Sequence, residues 1–141
     1  MPTRPRLLTP EEKEQLARRL EQQLTGHPGV IFAYLHGSFV DEVRFRDLDV
    51  AVYLMPGVID PRRLRDYEAE VAMELETQLR VPVDVRILND APLAFRHHVL
   101  KGRLLLVRDA DLLDEFRART WDEYFDFAPL ARSYLREVLS E

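Results

Sequence analysis

The sequence contains no cysteine, which excludes disulfides, thiolate metal sites and cysteine nucleophiles together and leaves oxygen and histidine as metal ligands. No apolar run approaches the length of a membrane helix, and the opening MPTRPRLLTP has no signal-peptide core, so a cytoplasmic protein with no membrane partner is expected. Nor is there a surplus of positive charge. The net charge is −5, which argues against a chain that binds nucleic acid through its phosphates. Lysine is nearly absent: Lys13 and Lys101 stand alone, and arginine carries the rest. The planar guanidinium suits phosphate and carboxylate pairing, although genomic base composition explains the same bias. Repeats, linkers and low-complexity segments are missing too. What remains is 141 residues, 46% hydrophobic and 32% charged, a composition that predicts a single folded domain over residues 1–141 with a flexible arm at 1–8.

Thr9, Pro10 and Glu12 form a capping-box start, and Leu16, Leu20 and Leu24 recur every four residues, which predicts a helix over 10–25. VIFAYL, 30–35, reads as a first strand ending at Gly37. Over 46–54 the pattern alternates: Leu48, Val50, Val52 and Leu54 point to a core, while Asp47, Asp49, Ala51 and Tyr53 point to an open face. Asp60 and Pro61 open an amphipathic helix to about residue 79, and VPVDVRI, 81–87, is a strand that puts Asp84 and Arg86 opposite its valines. A short helix after NDAP ends near Gly102, RLLLV is a fourth strand, and Asp109 or Asp111 opens a helical region over about 110–139 that Pro129 bends or splits. The order predicts an α+β, two-layer fold, a small mixed sheet with helices mainly on one face.

Asp47, Asp49 and Asp84 therefore come from two strands and share the non-core side. On adjacent strands, Asp47 and Asp49 would lie about 7 Å apart with Asp84 beside them. Their repulsion calls for a cation. Hard oxygen ligands without thiolate or imidazole select magnesium or manganese, ions that complete their shells with water and substrate phosphates. Gly37 and Ser38 follow the first strand, where backbone N–H groups and a hydroxyl can meet phosphate oxygens. Each signal is weak alone; together they point to a nucleoside triphosphate site.

HGSF, DLDV and VDVRILNDAP, with the terminal YFDFAPLARSYLREVL, resemble the minimal nucleotidyltransferases of the DNA polymerase beta superfamily, known as antitoxin partners of HEPN-domain toxins. The resemblance covers most of the chain. It implies the nucleotidyltransferase fold and transfer of AMP from ATP to a tyrosine hydroxyl of a HEPN partner. It also implies that Gly37 and Ser38 hold the triphosphate, Asp47 and Asp49 bind two Mg2+ ions (Mn2+ being an alternative), and Asp84 binds the catalytic ion and serves as candidate general base. Two departures concern the triphosphate loop more than the metal site. The spacer FVDEVRFR lacks a further glycine common in relatives, and Arg46 stands where a serine commonly precedes the first aspartate.

Competing readings remain at this level. The aspartates could pair with Arg44, Arg46 and Arg86 on a solvated face, and Ser38 could be an ordinary helix cap. A non-catalytic antitoxin that masks its toxin, and a transferase acting on a small molecule such as an aminoglycoside, fit the same residues. His97 and His98, adjacent on a helix, face different ways and make a poor metal pair. His36 packs at a strand end or touches the nucleotide, and His27 is a loop residue. Trp121, Tyr124, Phe125, Phe127, Tyr134 and Leu135 read first as helix-packing residues and second as a partner surface.

Overall fold

The computed structural model describes residues 5–139. The capping box forms as its residues dictate: the Thr9 hydroxyl accepts from the Glu12 N–H at 3.1 Å and Glu12 accepts from the Thr9 N–H at 3.0 Å, opening α1 (Pro10–Thr25). The apolar run becomes β2 (Val30–His36), which leads through Gly37 into the single turn of α2 (Ser38–Asp41). β4 (Leu48–Leu54) follows, then a 3-10 turn at Pro61–Arg63 running into α3 (Leu64–Leu79). β5 (Val83–Ile87), α4 (Leu93–Leu100), β6 (Arg103–Val107) and α5 (Ala110–Leu139) complete the chain.

Two short strands have no counterpart in the sequence pattern, because two residues carry no periodicity. β1 (Arg6–Leu7) pairs antiparallel with β3 (Arg44–Phe45), so this part of the expected flexible arm is tied to the loop before β4. The helix expected to bend or split at Pro129 is assigned without interruption to Leu139; a proline removes one backbone donor and crowds one carbonyl, a local loss in a helix of 30 residues.

The main sheet has the order β5-β4-β2-β6, with β4 and β5 parallel and the other pairs antiparallel. Alternation splits its residues between two cores. On one face Leu35, Val50, Val52 and Val85 are buried with Leu16, Leu20 and Leu24 of α1 and Val71, Leu75 and Leu79 of α3. The opposite face is less open than its pattern predicts. Phe32, Tyr34 and Ala51 are buried there with Val99 of α4 and Leu113 and Phe116 of α5, because β2 alternates aromatic rather than polar residues onto that side. Where β2 finishes and β4 begins, α4 covers His36, while Asp49 and Asp84 stay partly exposed.

The arginine bias has a structural use. Arg103 grips Glu14 of α1 through two bonds of 2.6 and 2.9 Å, which holds the Glu14 carboxyl down at about 2. Arg108 donates to the carbonyls of Val30 and Thr25, Arg96 to Ala91 O and Glu123, and both guanidinium donors of Arg117 meet the Tyr34 hydroxyl. These forks join elements distant in sequence, a task for which a multi-donor planar head is suited.

Candidate active site

β2 carries His36 to the rim of the sheet, and the chain then turns at Gly37 with φ 79° and ψ −154°, a region essentially restricted to glycine. Space requires glycine as well, since a Cβ there would collide with Oδ2 of Asp49. The Gly37 carbonyl accepts from the N–H groups of Val40 and Asp41, each at 3.0 Å, so the turn passes directly into α2 with Ser38 as its first residue.

The register places the carboxylates. Asp49 is paired with His36 of β2 on one side and with Asp84 of β5 on the other. Paired residues point to the same face, so His36, Asp49 and Asp84 form one row across three strands. The adjacency of Asp49 and Asp84 is the one their alternation predicts. Asp47 differs: the strand begins at Leu48, and Asp47 sits in the bend before it, because β4 cannot enter the sheet until Leu48 N bonds Pro82 O at 2.9 Å.

Burial, and next the charges of Asp47 and Asp84, push the Asp49 carboxyl up to about 6, with Arg86 offsetting part of the effect. That is the signature of carboxylates crowded without a counterion between them. Of the three arginines considered as partners, Arg86 reaches the group: its Nε lies 3.4 Å from Oδ2 of Asp84, with both side chains largely solvated. Such an exposed pair contributes little. Among the described residues, no three histidine, aspartate or glutamate side chains converge into a ready metal shell. The donor chemistry nevertheless fits a hard divalent cation: oxygen ligands from two adjacent strands, one of them with its carboxyl raised by burial and then by its acidic neighbours. Asp84 is turned toward Arg86, and closing a shell requires it to turn back toward Asp49.

His36 is buried, and neither ring nitrogen has a hydrogen-bond partner. Its ring meets those of Phe95 and His98 edge-on, at 5.5 and 5.4 Å between centroids. Desolvation, with the His98 ring second, pushes it down to about 4, so it is neutral. The sequence places His36 at a strand end; it gives no sign of Phe95 or His98, because the packing of α4 over β2 is a tertiary event. His97 faces elsewhere, stacked on Tyr124 at 3.7 Å and edge-on to Trp121 at 4.9 Å. Trp121 and Tyr124 thus pack on α4, whereas Phe125 and Phe127 are exposed, contrary to their reading as packing residues. The side chains of Tyr134 and Leu135 lie outside the described ones.

A groove of about 490 Å³ borders Asp84 at the outer edge of the row. Another of about 320 Å³, lined by Tyr53, Met55, Asn89 and Arg119, sits at the far end of β4 and gathers no acidic cluster. The pairing of Asp49 with Asp84 beside a conformationally restricted glycine marks the site.

A family model described as polymerase beta nucleotidyltransferase matches residues 18–111, a span that holds Gly37, Ser38 and all three aspartates. The chain belongs to this family. No curated protein matches the sequence. Among solved structures, this nucleotidyltransferase is similar to a chain of the tri-AMPylated Shewanella oneidensis HEPN toxin in complex with MNT antitoxin, at 20% identity over 90% of this chain and 98% of that one, with a TM-score of 0.67. A chain of the MntA–HepT toxin–antitoxin gives 20% identity, coverages of 89% and 98%, and a TM-score of 0.66. A chain of a toxin–antitoxin with AMP-PNP gives 22%, 87%, 98% and 0.68. At these identities the likeness is one of fold, and it extends over nearly the whole of each relative. Among the described residues no helix is long and apolar enough to cross a membrane.

Proposed function

We propose that this nucleotidyltransferase transfers AMP from ATP to a hydroxyl, that of a tyrosine on a HEPN-type toxin partner, and acts in the cytoplasm as the antitoxin of that toxin. Family membership supports nucleotidyl transfer. Similarity in fold to antitoxin complexes, one with an AMPylated HEPN toxin and one with an ATP analogue, supports the nucleotide and the acceptor. The single observation that carries the site is the row itself, with Asp49 wedged between Asp84 and a glycine that has no room for a side chain.

In this reading Asp47, Asp49 and Asp84 would hold two Mg2+ ions, or Mn2+. Bound there, divalent cations supply charge neutralisation for the triphosphate and activation of the attacking hydroxyl. The chain's own residues do the rest. Gly37 lets the backbone come close to the triphosphate, and the Ser38 hydroxyl donates to it. Asp84, half exposed at the rim, accepts the proton of the incoming hydroxyl and is reachable by a side chain that a partner brings. Fixed geometry and preorganised charge, rather than a covalent intermediate, lower the barrier.

The test is incubation of the chain with the co-encoded HEPN protein, labelled ATP and Mg2+. Label should appear on the partner with the mass of an added AMP, and Asp47→Ala or Asp49→Ala should reduce it by about a hundredfold or more. Neutralisation of the toxin without label would replace this reading with that of a masking antitoxin. A melting temperature unmoved by ATP and Mg2+ would leave the acidic row a purely structural role.

A further inference from the structure

We infer that Glu68 and Glu76 of α3 are positioning residues for Asp84, acting through the backbone of β5; the inference rests on the metal-dependent reading proposed above. Among the described residues, β5 is an edge strand with β4 as its one neighbour in the sheet. Leu48 N bonds Pro82 O and Leu88 N bonds Val52 O, at 2.9 and 2.8 Å. The backbone groups of the even-numbered residues, Asp84 and Arg86 among them, are thus turned to β4, and those of Val83, Val85 and Ile87 face outward. Edge amides of this kind are ordinarily left to water. Here Val83 N donates to Glu76 Oε1 and Ile87 N to Glu68 Oε2, each at 2.9 Å.

The two bonds are matched in pitch. Glu68 and Glu76 are eight residues apart on α3, about 12 Å at the helical rise. Val83 and Ile87 are four apart on β5, about 13 Å at the rise of a parallel strand. Helix and strand run in opposite directions, so one carboxylate meets each end of the strand and Asp84 lies between them. Midway, α3 presents Ala72, and a groove of about 490 Å³ lined by Ala69, Ala72 and Val85 remains open beside Asp84.

The mechanical reason concerns the row of carboxylates. Asp84 is the register partner of Asp49 across the β4–β5 ladder, so turning its carboxylate back toward Asp49 brings like charges together and loads the edge strand outward, where among the described residues no further strand pushes back. The two glutamates hold β5 through its outer amides, one directly before Asp84 and one three residues after it. Bonds from a backbone N–H to a carboxylate are among the stronger neutral-donor hydrogen bonds. They fix where the Asp84 carboxylate starts, and so how far it must travel to share a cation with Asp49.

The experiment uses the full chain with Glu68→Ala, Glu76→Ala, the double variant, and the corresponding glutamines, whose amide oxygen still accepts the N–H. Amide hydrogen exchange should quicken by about tenfold at Val83 in Glu76→Ala and at Ile87 in Glu68→Ala, with β2 unchanged, and the Mn2+ concentration for half-saturation, read from the EPR signal of free Mn2+, should rise by about tenfold. Glutamine should restore both to within about twofold, which separates the hydrogen bond from the loss of negative charge. Wild-type Mn2+ affinity in the folded alanine variants overturns this inference alone, whereas a wild-type chain that takes up no Mn2+ overturns the metal site itself. If the double variant does not fold, the single variants decide by the same readings.

Discussion

Two neighbouring rows of side chains cross the same three strands and differ in nearly every respect. Leu35, Val50 and Val85 are register partners, at most 3% exposed, buried against α1 and α3. One residue along, His36, Asp49 and Asp84 are register partners too. The first row is apolar and closed. The second holds an imidazole whose nitrogens have no hydrogen-bond partner among the described residues and a carboxyl raised by burial and then by its acidic neighbours. Both rows lie on the same strands, so side-chain alternation makes one row stabilising and the next frustrated. Such conflict between local groups and the global fold is tolerated where a site needs it and the surrounding structure is well packed.

The comparison can be broken or sharpened experimentally. The largest effect belongs to the packed row: Leu35→Ala should cost about 2–5 kcal/mol in urea unfolding, since a fully buried leucine leaves a cavity. A loss below 1 kcal/mol would erase the contrast between the rows. Next comes Gly37→Ala, which should cost about 1–3 kcal/mol because a side chain is forced into a glycine-only backbone conformation and onto Asp49. Adding Asp49→Ala should recover the steric part, and strict additivity in that cycle would mean that the carboxylate does not confine the glycine.

His36→Phe runs in the opposite direction. Removing two buried nitrogens without partners, while keeping a ring against Phe95, should stabilise the chain by about 1 kcal/mol or more. A lower melting temperature would show that one nitrogen is satisfied after all. The pH dependence tests the polar row directly. Asp49 is raised from its ordinary 3.8 to about 6, so its contribution is fully present below 3.8 and is lost as pH rises through 6. His36 is lowered from 6.5 to about 4, so its contribution is present above 6.5 and is lost as pH falls through 4. The two slopes oppose each other between about 4 and 6. Relative to the wild type, Asp49→Asn should gain stability as pH rises across that window and His36→Phe should lose it, measured as paired melts. Parallel profiles for the two variants would show that the groups do not titrate as their surroundings require.

Much of this could be read from residues alone because the signals are local. The capping box at Thr9, the period of Leu16, Leu20 and Leu24, and the alternation in LDVAVYL and VDVRI each report a local backbone preference coupled to burial of one face. The adjacency of Asp49 and Asp84 required one further step, that two strands joined by a helix lie side by side, which is the common outcome for such a connection. Other features stayed hidden for the complementary reason. β1 and β3 are too short to show a period. The coverage of the second face depends on where α4 and α5 dock, which nothing in FRHHV announces. Arg86 shares a face with Asp84 already in the alternation of VDVRI, but only the structure showed that its guanidinium comes within 3.4 Å of that carboxylate. Phe125 looks like core in a one-dimensional pattern, yet α5 has no neighbour there to cover it among the described residues.

By itself the sequence determined that Asp49 and Asp84 would sit on the non-core side of two strands, beside a glycine at a strand end, because alternation and turn chemistry are properties of consecutive residues; Asp47, expected on the strand with them, lies in the bend before it. Only the tertiary structure decided that Asp49 lies between Asp84 and His36, that a glutamate from α3 holds each end of β5, and that the Asp49 carboxyl is pushed to about 6. Those outcomes depend on distances between groups far apart along the chain. Coulomb repulsion and desolvation act through space, and no spacing in the sequence encodes them.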